Sequence, residues 1–217
     1  FKTKLEPSGS ALYAITSRKP GEPDYVAPAA GGSKLEPEGT MEVSATSDNI
    51  LVINYLDLKT TRTELKDVYF MQALQTLYRE NGVEIGNPWQ HKIQYRKNYL
   101  ALDSLFGEDS RFEVFYHFRI DTAADISALA SVKAVVARAA FWEVRISGHP
   151  VSKTTEGYFV DREFPFYEIG RYLKPGENVL SLHCPRMHIL AEVVPVYLTG
   201  NFLLMPSSPG FEITNGK

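Results

Sequence analysis

The chain has 217 residues, 44% of them apolar, with a formal net charge of −3 and a pI near 6.0. This balance provides no basic footprint for nucleic acid, and no window approaches the roughly 18 uninterrupted apolar residues of a membrane span. The single cysteine, Cys184, excludes an intrachain disulfide. The aromatic content of 12% favours strands, whose half-buried surfaces suit Tyr and Phe.

The first part of the chain predicts one strand followed by a loop. The strand falls at residues 11–16, and residues 18–39 are so rich in Pro, Gly, Ala and Ser that they predict a linker or long surface loop. We therefore divide the chain into residues 1–39 and a main domain of residues 40–217. Because the chain opens on Phe1 without an initiator methionine, we expect a mature product or an excised fragment.

The next stretch predicts a hairpin and then a helix. Two strands, at residues 40–45 and 49–58, flank a turn at Ser47, and Leu51, Ile53 and Tyr55 alternate along the second of them. The period then changes from two to that of a helix over residues 68–78, and Asn81 with Gly82 provides a stop. We expect one amphipathic helix of about three turns that covers an end or edge of a sheet.

The remainder reads as strands. A short strand is predicted at residues 91–95. Residues 111–120 (RFEVFYHFRI) are nearly apolar on both sides, which predicts a central strand. Further strands follow at residues 132–139, 142–146 and 179–182, and two more lie within 191–205, divided near Pro195 or Gly200. About ten strands with frequent reversals predict an all-β fold, a jelly-roll β-sandwich with one short amphipathic helix.

Several motifs, in order, resemble the sugar-binding jelly-roll domain of bacterial glycoside hydrolases of the family 2 type. They are residues 144–151 (VRISGHPV), 161–164 (DREF), 169–173 (IGRYL) and 175–182 (PGENVLSL), with 195–202 (PVYLTGNF) downstream. The resemblance spans about residues 41–204. Ser147 and Asn201 stand where the family pattern has Asn and Asp, so any contact attached to those two positions does not carry over.

The resemblance implies a non-catalytic, galactose-binding-domain-like β-sandwich from a secreted or periplasmic bacterial enzyme. The hydrolytic machinery of such enzymes lies in a separate barrel of roughly 200 to 250 residues, for which this chain has no room. The implied partners are a glycan or the catalytic domain of the same polypeptide. A purely structural domain that packs on its catalytic neighbour is the first alternative, and an enzyme acting on polysaccharide is the second.

A sugar site needs aromatic faces that stack on the pyranose and polar groups that bind its hydroxyls. For Trp142 and Tyr158 the alternative interpretation is packing within the fold, Trp142 in the core and Tyr158 with Phe159 against the sheet. The predicted ligand-binding residues are three aromatic and three charged ones: Trp89, Trp142, Tyr158, Arg145, Asp161 and Arg162.

The sequence supports a catalytic site or a metal site less than it supports a sugar site. Asp161 can be paired with Glu163 or Glu168 as a glycosidase pair, but nothing else marks these carboxylates, and Asp161 equally suits a turn. Because His183 and Cys184 are adjacent on a strand, they point to opposite faces, and we expect no cofactor there and a buried Cys184. A structural Ca²⁺ is the one ion considered, near strand ends at Asp57, Asp121 and Asp125.

Overall fold

The computed structural model describes residues 39, 47–83, 104, 106–208 and 210–215. The chain divides into two compact units, Phe1–Val43 and Ser44–Lys217, and the account below concerns the second. The strands predicted at residues 11–16, 40–45 and 91–95, and the candidate Trp89, lie outside the described residues. The domain boundary predicted after residue 39 stays a prediction.

One layer of the fold is a five-stranded antiparallel sheet with the order β1-β11-β5-β9-β8. Its strands are β1 (Asn49–Ile53), β5 (Lys133–Val135), β8 (Lys153–Tyr158), β9 (Pro165–Glu168) and β11 (Val196–Gly200).

The second layer is an eight-stranded sheet with the path β12-β13-β4-β10-β6-β7, on which β2 also pairs with β4, and β3 with β2. Its strands are β2 (Tyr55–Thr60), β3 (Glu64–Tyr69), β4 (Phe112–Ile120), β6 (Glu143–Ile146), β7 (His149–Val151), β10 (Gly176–Cys184), β12 (Leu203–Pro206) and β13 (Phe211–Thr214). All pairs are antiparallel except the short contact of β13 with the end of β4. The all-β sandwich is therefore confirmed.

The inner faces of the two sheets enclose one apolar core, to which β4 contributes most fully. The side chains of Phe112, Val114, Tyr116, Phe118 and Ile120 are all buried on its inner face. The central position of this strand is confirmed, since β10 and β2 pair with it. The expectation that the strand is nearly apolar on both sides is wrong, because His117 and Arg119 are exposed on its outer face.

The outer face of β4 is polar and partly open to water. His117 and Arg119 are exposed there. They reach neighbouring strands through His117 Nδ1 to Glu177 Oε1 at 2.9 Å and Arg119 Nε to Glu212 Oε1 at 2.8 Å. Polar contacts between side chains therefore cover much of this face.

The predicted helix is present as α1 (Phe70–Glu80), the one α-helix in the described part of the chain. It begins two residues later than predicted because β3 continues to Tyr69. Its buried residues, Ala73, Leu74, Leu77 and Tyr78, follow helical spacing and face the core. The helix ends at the predicted stop, where Asn81 Nδ2 donates to the Leu77 carbonyl at 2.8 Å.

The strand predicted over residues 49–58 is wrong in one respect, because two strands occupy it. β1 belongs to the five-stranded sheet and β2 to the eight-stranded sheet, and the chain crosses between them at Asn54. The inward alternation ends there: Ile53 and Leu56 are buried, whereas Tyr55 is 53% exposed. A change of sheet therefore shifts the pattern by one residue.

Two other predicted strands have different ends. The strand predicted at residues 132–139 stops at Val135, and a 3₁₀ turn, Ala139–Phe141, follows. The two strands predicted within residues 191–205 are β11 and β12, and of the two predicted points of division, Pro195 and Gly200, the structure has Gly200. The last strand, β13, was not predicted.

Candidate functional site

Trp142 lies in the core. Its side chain is 8% exposed, and its indole Nε1 donates a hydrogen bond of 3.0 Å to the Ala137 carbonyl. The ring has no open face for a sugar, so of its two interpretations the structure supports packing.

The exposed candidates fall on opposite sheets. Tyr158, Asp161 and Arg162 share the β8–β9 hairpin, with Tyr158 51% exposed, whereas Arg145 lies exposed on β6 in the other sheet. Asp161 Oδ1 accepts a hydrogen bond of 2.7 Å from the Glu163 N–H, so this carboxylate fixes the hairpin turn. The structure thus brings three of the six candidates together and leaves Arg145 apart.

A polar pocket that the sequence does not predict lies at the C-terminal end of α1. It has an empty volume of about 200 Å³, counting the part open to solvent, and we call it the α1 pocket. Three separate segments build it: the β2–β3 turn, the last turn of α1 and the residues before β4. The lining residues are Thr60, Thr61, Arg62, Leu77, Glu80, Asn81, Asp109, Ser110 and Arg111.

Arg62 ties the three segments together. Its Nη1 donates to the Glu80 main-chain carbonyl at the end of α1, and its Nη2 lies 3.2 Å from Asp109 Oδ2. Thr61 Oγ1 donates to the Asp109 carbonyl at 3.1 Å. A cation at the C-terminal end of a helix also meets the negative end of its dipole, so these contacts hold one wall of the pocket in place.

Two charged groups of the α1 pocket have no partner among the residues that the structure describes. The Oε1 atom of Glu80 is buried and accepts no hydrogen bond. Arg111 is exposed and has no hydrogen bond or ion pair to any described residue. A buried acceptor without a donor is costly, by about 1–3 kcal/mol or more for a charged group, so Glu80 is poised to accept a proton donor from a ligand or water.

A second unusual region surrounds Arg138, which adopts a left-handed backbone conformation with φ of 57°. Its N–H donates to the Glu163 carbonyl at 2.8 Å, and its Nη1 lies 3.6 Å from Glu163 Oε2. Burial raises the pKa of Glu192, and the Arg138 charge partly offsets that rise. Burial, with a contribution from the Glu192 charge, raises the pKa of Tyr78, whose buried hydroxyl has no hydrogen-bond partner. We call this group the Arg138 corner.

The carboxylates considered for Ca²⁺ are each engaged within the protein. Asp121 Oδ1 accepts from the Ala123 N–H at 3.0 Å, Asp125 Oδ1 from the Ser127 N–H at 2.9 Å, and Asp57 Oδ1 from the Asp67 N–H at 2.9 Å. Within the described ranges, no three His, Cys, Asp or Glu side chains form a group that could hold a metal ion. The structural Ca²⁺ stays a prediction that this geometry does not strengthen.

The predicted burial of Cys184 is confirmed. It faces the core, where burial raises the pKa of its thiol to about 11, with a smaller opposing effect from its hydrogen bond to the Arg186 carbonyl. Such a thiol is not reactive at neutral pH. Among the described residues, no helix has both the length and the apolar character that a membrane span needs.

Similarity to known proteins was found among solved structures. No family model matches the sequence, and no curated protein matches it. Among solved structures, a β-D-glucuronidase from Dictyoglomus thermophilum aligns with a TM-score of 0.39 and 13% identity over 79% of this chain. A β-glucuronidase from an uncultured Clostridium species aligns with a TM-score of 0.34 and 12% identity over 76% of this chain. The chain spans 34% and 31% of these two proteins.

Proposed function

We propose that this chain is a non-catalytic accessory β-sandwich that binds a carbohydrate weakly through the α1 pocket. The observation that carries the proposal is a shallow pocket lined by arginine, amide and hydroxyl groups and by Glu80, whose buried Oε1 accepts no hydrogen bond. Sugar hydroxyls both donate and accept hydrogen bonds, so adjacent hydroxyls satisfy a carboxylate and a guanidinium together.

The size of the α1 pocket limits what it binds. Its enclosed volume is about 10 Å³, room for about one water molecule, so the pocket takes a single hydroxyl group and the rest of a sugar lies on the open surface. We expect a dissociation constant between about 1 mM and 1 μM, equivalent to roughly −4 to −8 kcal/mol. In the proposal, Trp89 and the exposed Tyr158, Asp161 and Arg162 are additional glycan contacts.

The accessory role rests on the sequence resemblance to the sugar-binding jelly roll of bacterial glycoside hydrolases. On this basis we propose that the partner is a catalytic domain of the same polypeptide. We also propose that the protein is located outside the cytoplasm. The all-β architecture is compatible with this role, since binding modules of this kind need only a rigid sandwich that presents side chains.

The test is a glycan-array screen of the whole chain, followed by titration calorimetry on each hit. Arg111→Met removes an exposed charge that pairs with no described residue, so the variant should fold normally and weaken binding to the α1 pocket. Trp89→Ala should leave stability almost unchanged and abolish binding if Trp89 is a stacking platform. A blank array on folded protein would reject the proposal.

One observation favours the structural alternative. Three large apolar side chains of the β12–β13 hairpin are strongly exposed: Leu203 at 53%, Met205 at 43% and Phe211 at 52%. Their exposure is typical of a surface that packs on another domain. If the array is blank, replacing Leu203 and Met205 with Ser should release this chain from its neighbouring domain in the full-length protein.

The enzymatic alternative has Glu192 as its candidate acid, because among the described carboxylates this is the one with a raised pKa. Its neighbour across Arg138 is Glu163, whose side chain is 59% exposed. A glycosidase would release nitrophenol from at least one of a panel of nitrophenyl glycosides. The Glu192→Gln variant would have to lose this activity.

A further inference from the structure

We propose that β1 pairs with β1 of a second copy of this chain, so that two five-stranded sheets join across a two-fold axis. β1 (Asn49–Ile53) is the first strand of its sheet, and β11 is the one described strand that pairs with it. Its other edge meets no described strand. The main-chain N–H and C=O groups along such an edge form a template for a further strand.

The sequence of β1 lacks the features by which proteins keep a sheet edge from pairing. Its five residues, NILVI, include no charged residue, proline or glycine, and its register with β11 runs without a bulge. The side chains of Ile50 and Val52 are 39% and 49% exposed. This edge is therefore apolar, regular and uncharged.

The other edge strands of the described sheets each carry a protective feature. β8 has the exposed charges of Lys153 and Glu156 and an irregular register with β9. β7 is three residues long and contains Pro150, and β12 ends on Pro206. In β3, Asp67 has a left-handed backbone conformation, and the register with β2 shifts. Of these edges, β1 has the least protection against pairing.

A hydrogen bond at the start of β1 indicates which groups face the open edge. The Ile50 N–H donates to the Asn49 side-chain oxygen at 2.9 Å, and we therefore assign this N–H to the side away from β11. Successive residues of a strand direct their main-chain groups to alternate sides. Ile50 and Val52 thus present their N–H and C=O groups to the open edge.

A second β1 complements these groups. In an antiparallel pair centred on Leu51, Ile50 of each copy lies opposite Val52 of the other, and each such pair exchanges two N–H···O bonds. The Ile50 N–H then exchanges its Asn49 acceptor for a main-chain carbonyl. The β-branched side chains of Ile50 and Val52 meet across the junction. Because the five paired positions are uncharged, the two-fold axis brings no like charges together.

The short contact limits the affinity. Five paired residues on each side bury less than the roughly 800 Å² per partner of a standard interface. We therefore expect a dissociation constant of about 10–100 μM. The chain is then mainly monomeric at low micromolar concentration and dimeric at high concentration.

The first experiment is analytical ultracentrifugation of the whole chain from about 1 to 500 μM. The wild type should change from monomer to dimer over this range. Val52→Lys places a charge on the open edge and should raise the dissociation constant at least about tenfold. The control is Val160→Lys, the same change at a side chain that is 70% exposed between β8 and β9, and it should leave the dissociation constant unchanged.

The second experiment tests the register by oxidation of introduced cysteines, since the native Cys184 is buried. In the proposed pair, Leu51→Cys lies opposite its own copy at a Cα distance of about 4.5–5.5 Å, which suits a disulfide. Ile50→Cys is diagonal to its copy at roughly 7–8 Å, which is too far. We expect Leu51→Cys to form a covalent dimer and Ile50→Cys to form none at the same concentration.

A wild type that stays monomeric throughout would overturn the inference. The edge would then belong to another occupant, such as the strand predicted at residues 40–45, which lies outside the described residues. A dimer that Val52→Lys does not weaken, or equal crosslinking of the two cysteine variants, would also overturn it. Should Leu51→Cys not fold, the comparison of the wild type with Val52→Lys and Val160→Lys decides.

Discussion

The rings of Trp142 and Phe112 pack at right angles, with centroids 5.6 Å apart and an interplanar angle of 87°. Phe112 begins β4, and Trp142 immediately precedes β6, on the other side of β10. This edge-to-face contact therefore links three neighbouring strands at one end of the core, where aromatic pairs contribute more than their buried area alone.

We predict that Trp142→Ala lowers the free energy of unfolding by about 3–5 kcal/mol, because it leaves a cavity between β4 and β6. Urea denaturation measures this directly. Trp142→Phe keeps most of the volume and removes the hydrogen bond to the Ala137 carbonyl, so its loss should be clearly smaller. An unshifted melting curve for Trp142→Ala would contradict the assignment of this ring to the core.

The burial of Trp142, Val144 and Ile146 could be predicted because polar residues alternate with them, and period two needs only local sequence. The end of α1 at Asn81 could likewise be predicted from local sequence. The crossing between sheets at Asn54 could not be predicted, since the same residues fit one strand or two until the partners of each are known. The α1 pocket was missed because Arg62, Glu80 and Asp109 lie far apart in the sequence and meet only in the fold.

Gly170 lies where a side chain has no space. An ideal Cβ atom at this residue would be 2.2 Å from the Ala130 main-chain oxygen, while the Gly170 N–H donates to the Val132 carbonyl at 3.0 Å. We predict that Gly170→Ala costs about 3 kcal/mol or more, since the backbone has to move at the join between β9 and the following turn. Thermal unfolding measures the loss.

The control for Gly170→Ala is Gly148→Ala. Gly148 has φ of 87°, but a Cβ atom there meets nothing within 4 Å, so this change tests backbone conformation without a clash. We expect it to cost about 1–2 kcal/mol. Equal losses for both variants would show that the contact with Ala130 does not matter.

Ser147 carries a strain that substitution can relieve. It occupies the first position of the two-residue turn between β6 and β7, with φ of 47°, and its hydroxyl is buried without a partner. We predict that Ser147→Gly raises the free energy of unfolding by about 0.5–1 kcal/mol, as relief of the left-handed strain exceeds the extra freedom of glycine in the unfolded chain. Chemical denaturation at neutral pH is the measurement. A less stable variant would mean that the hydroxyl has a compensating role.

Asp57 links the β2–β3 hairpin to β4. Its Oδ2 lies 3.1 Å from both Lys66 Nζ and His117 Nε2, and its Oδ1 accepts from the N–H of Asp67, a residue in the left-handed conformation. Partial burial raises the pKa of Asp57, but these three hydrogen bonds together lower it below its ordinary value. The folded state therefore favours the ionised carboxylate.

The sign of the pH effect follows from that shift. The folded pKa of Asp57 is lower than its unfolded pKa of about 3.9. The carboxylate therefore contributes fully to the free energy of unfolding above the unfolded pKa, and this contribution is lost as the pH falls through the folded pKa. We predict that Asp57→Asn is less stable than the wild type by about 1 kcal/mol at pH 7, and that the difference disappears in acid. Unfolding curves from pH 7 to pH 2 measure it, with the exposed Asp48→Asn as the control. A difference that grows on acidification would refute this role for the carboxylate.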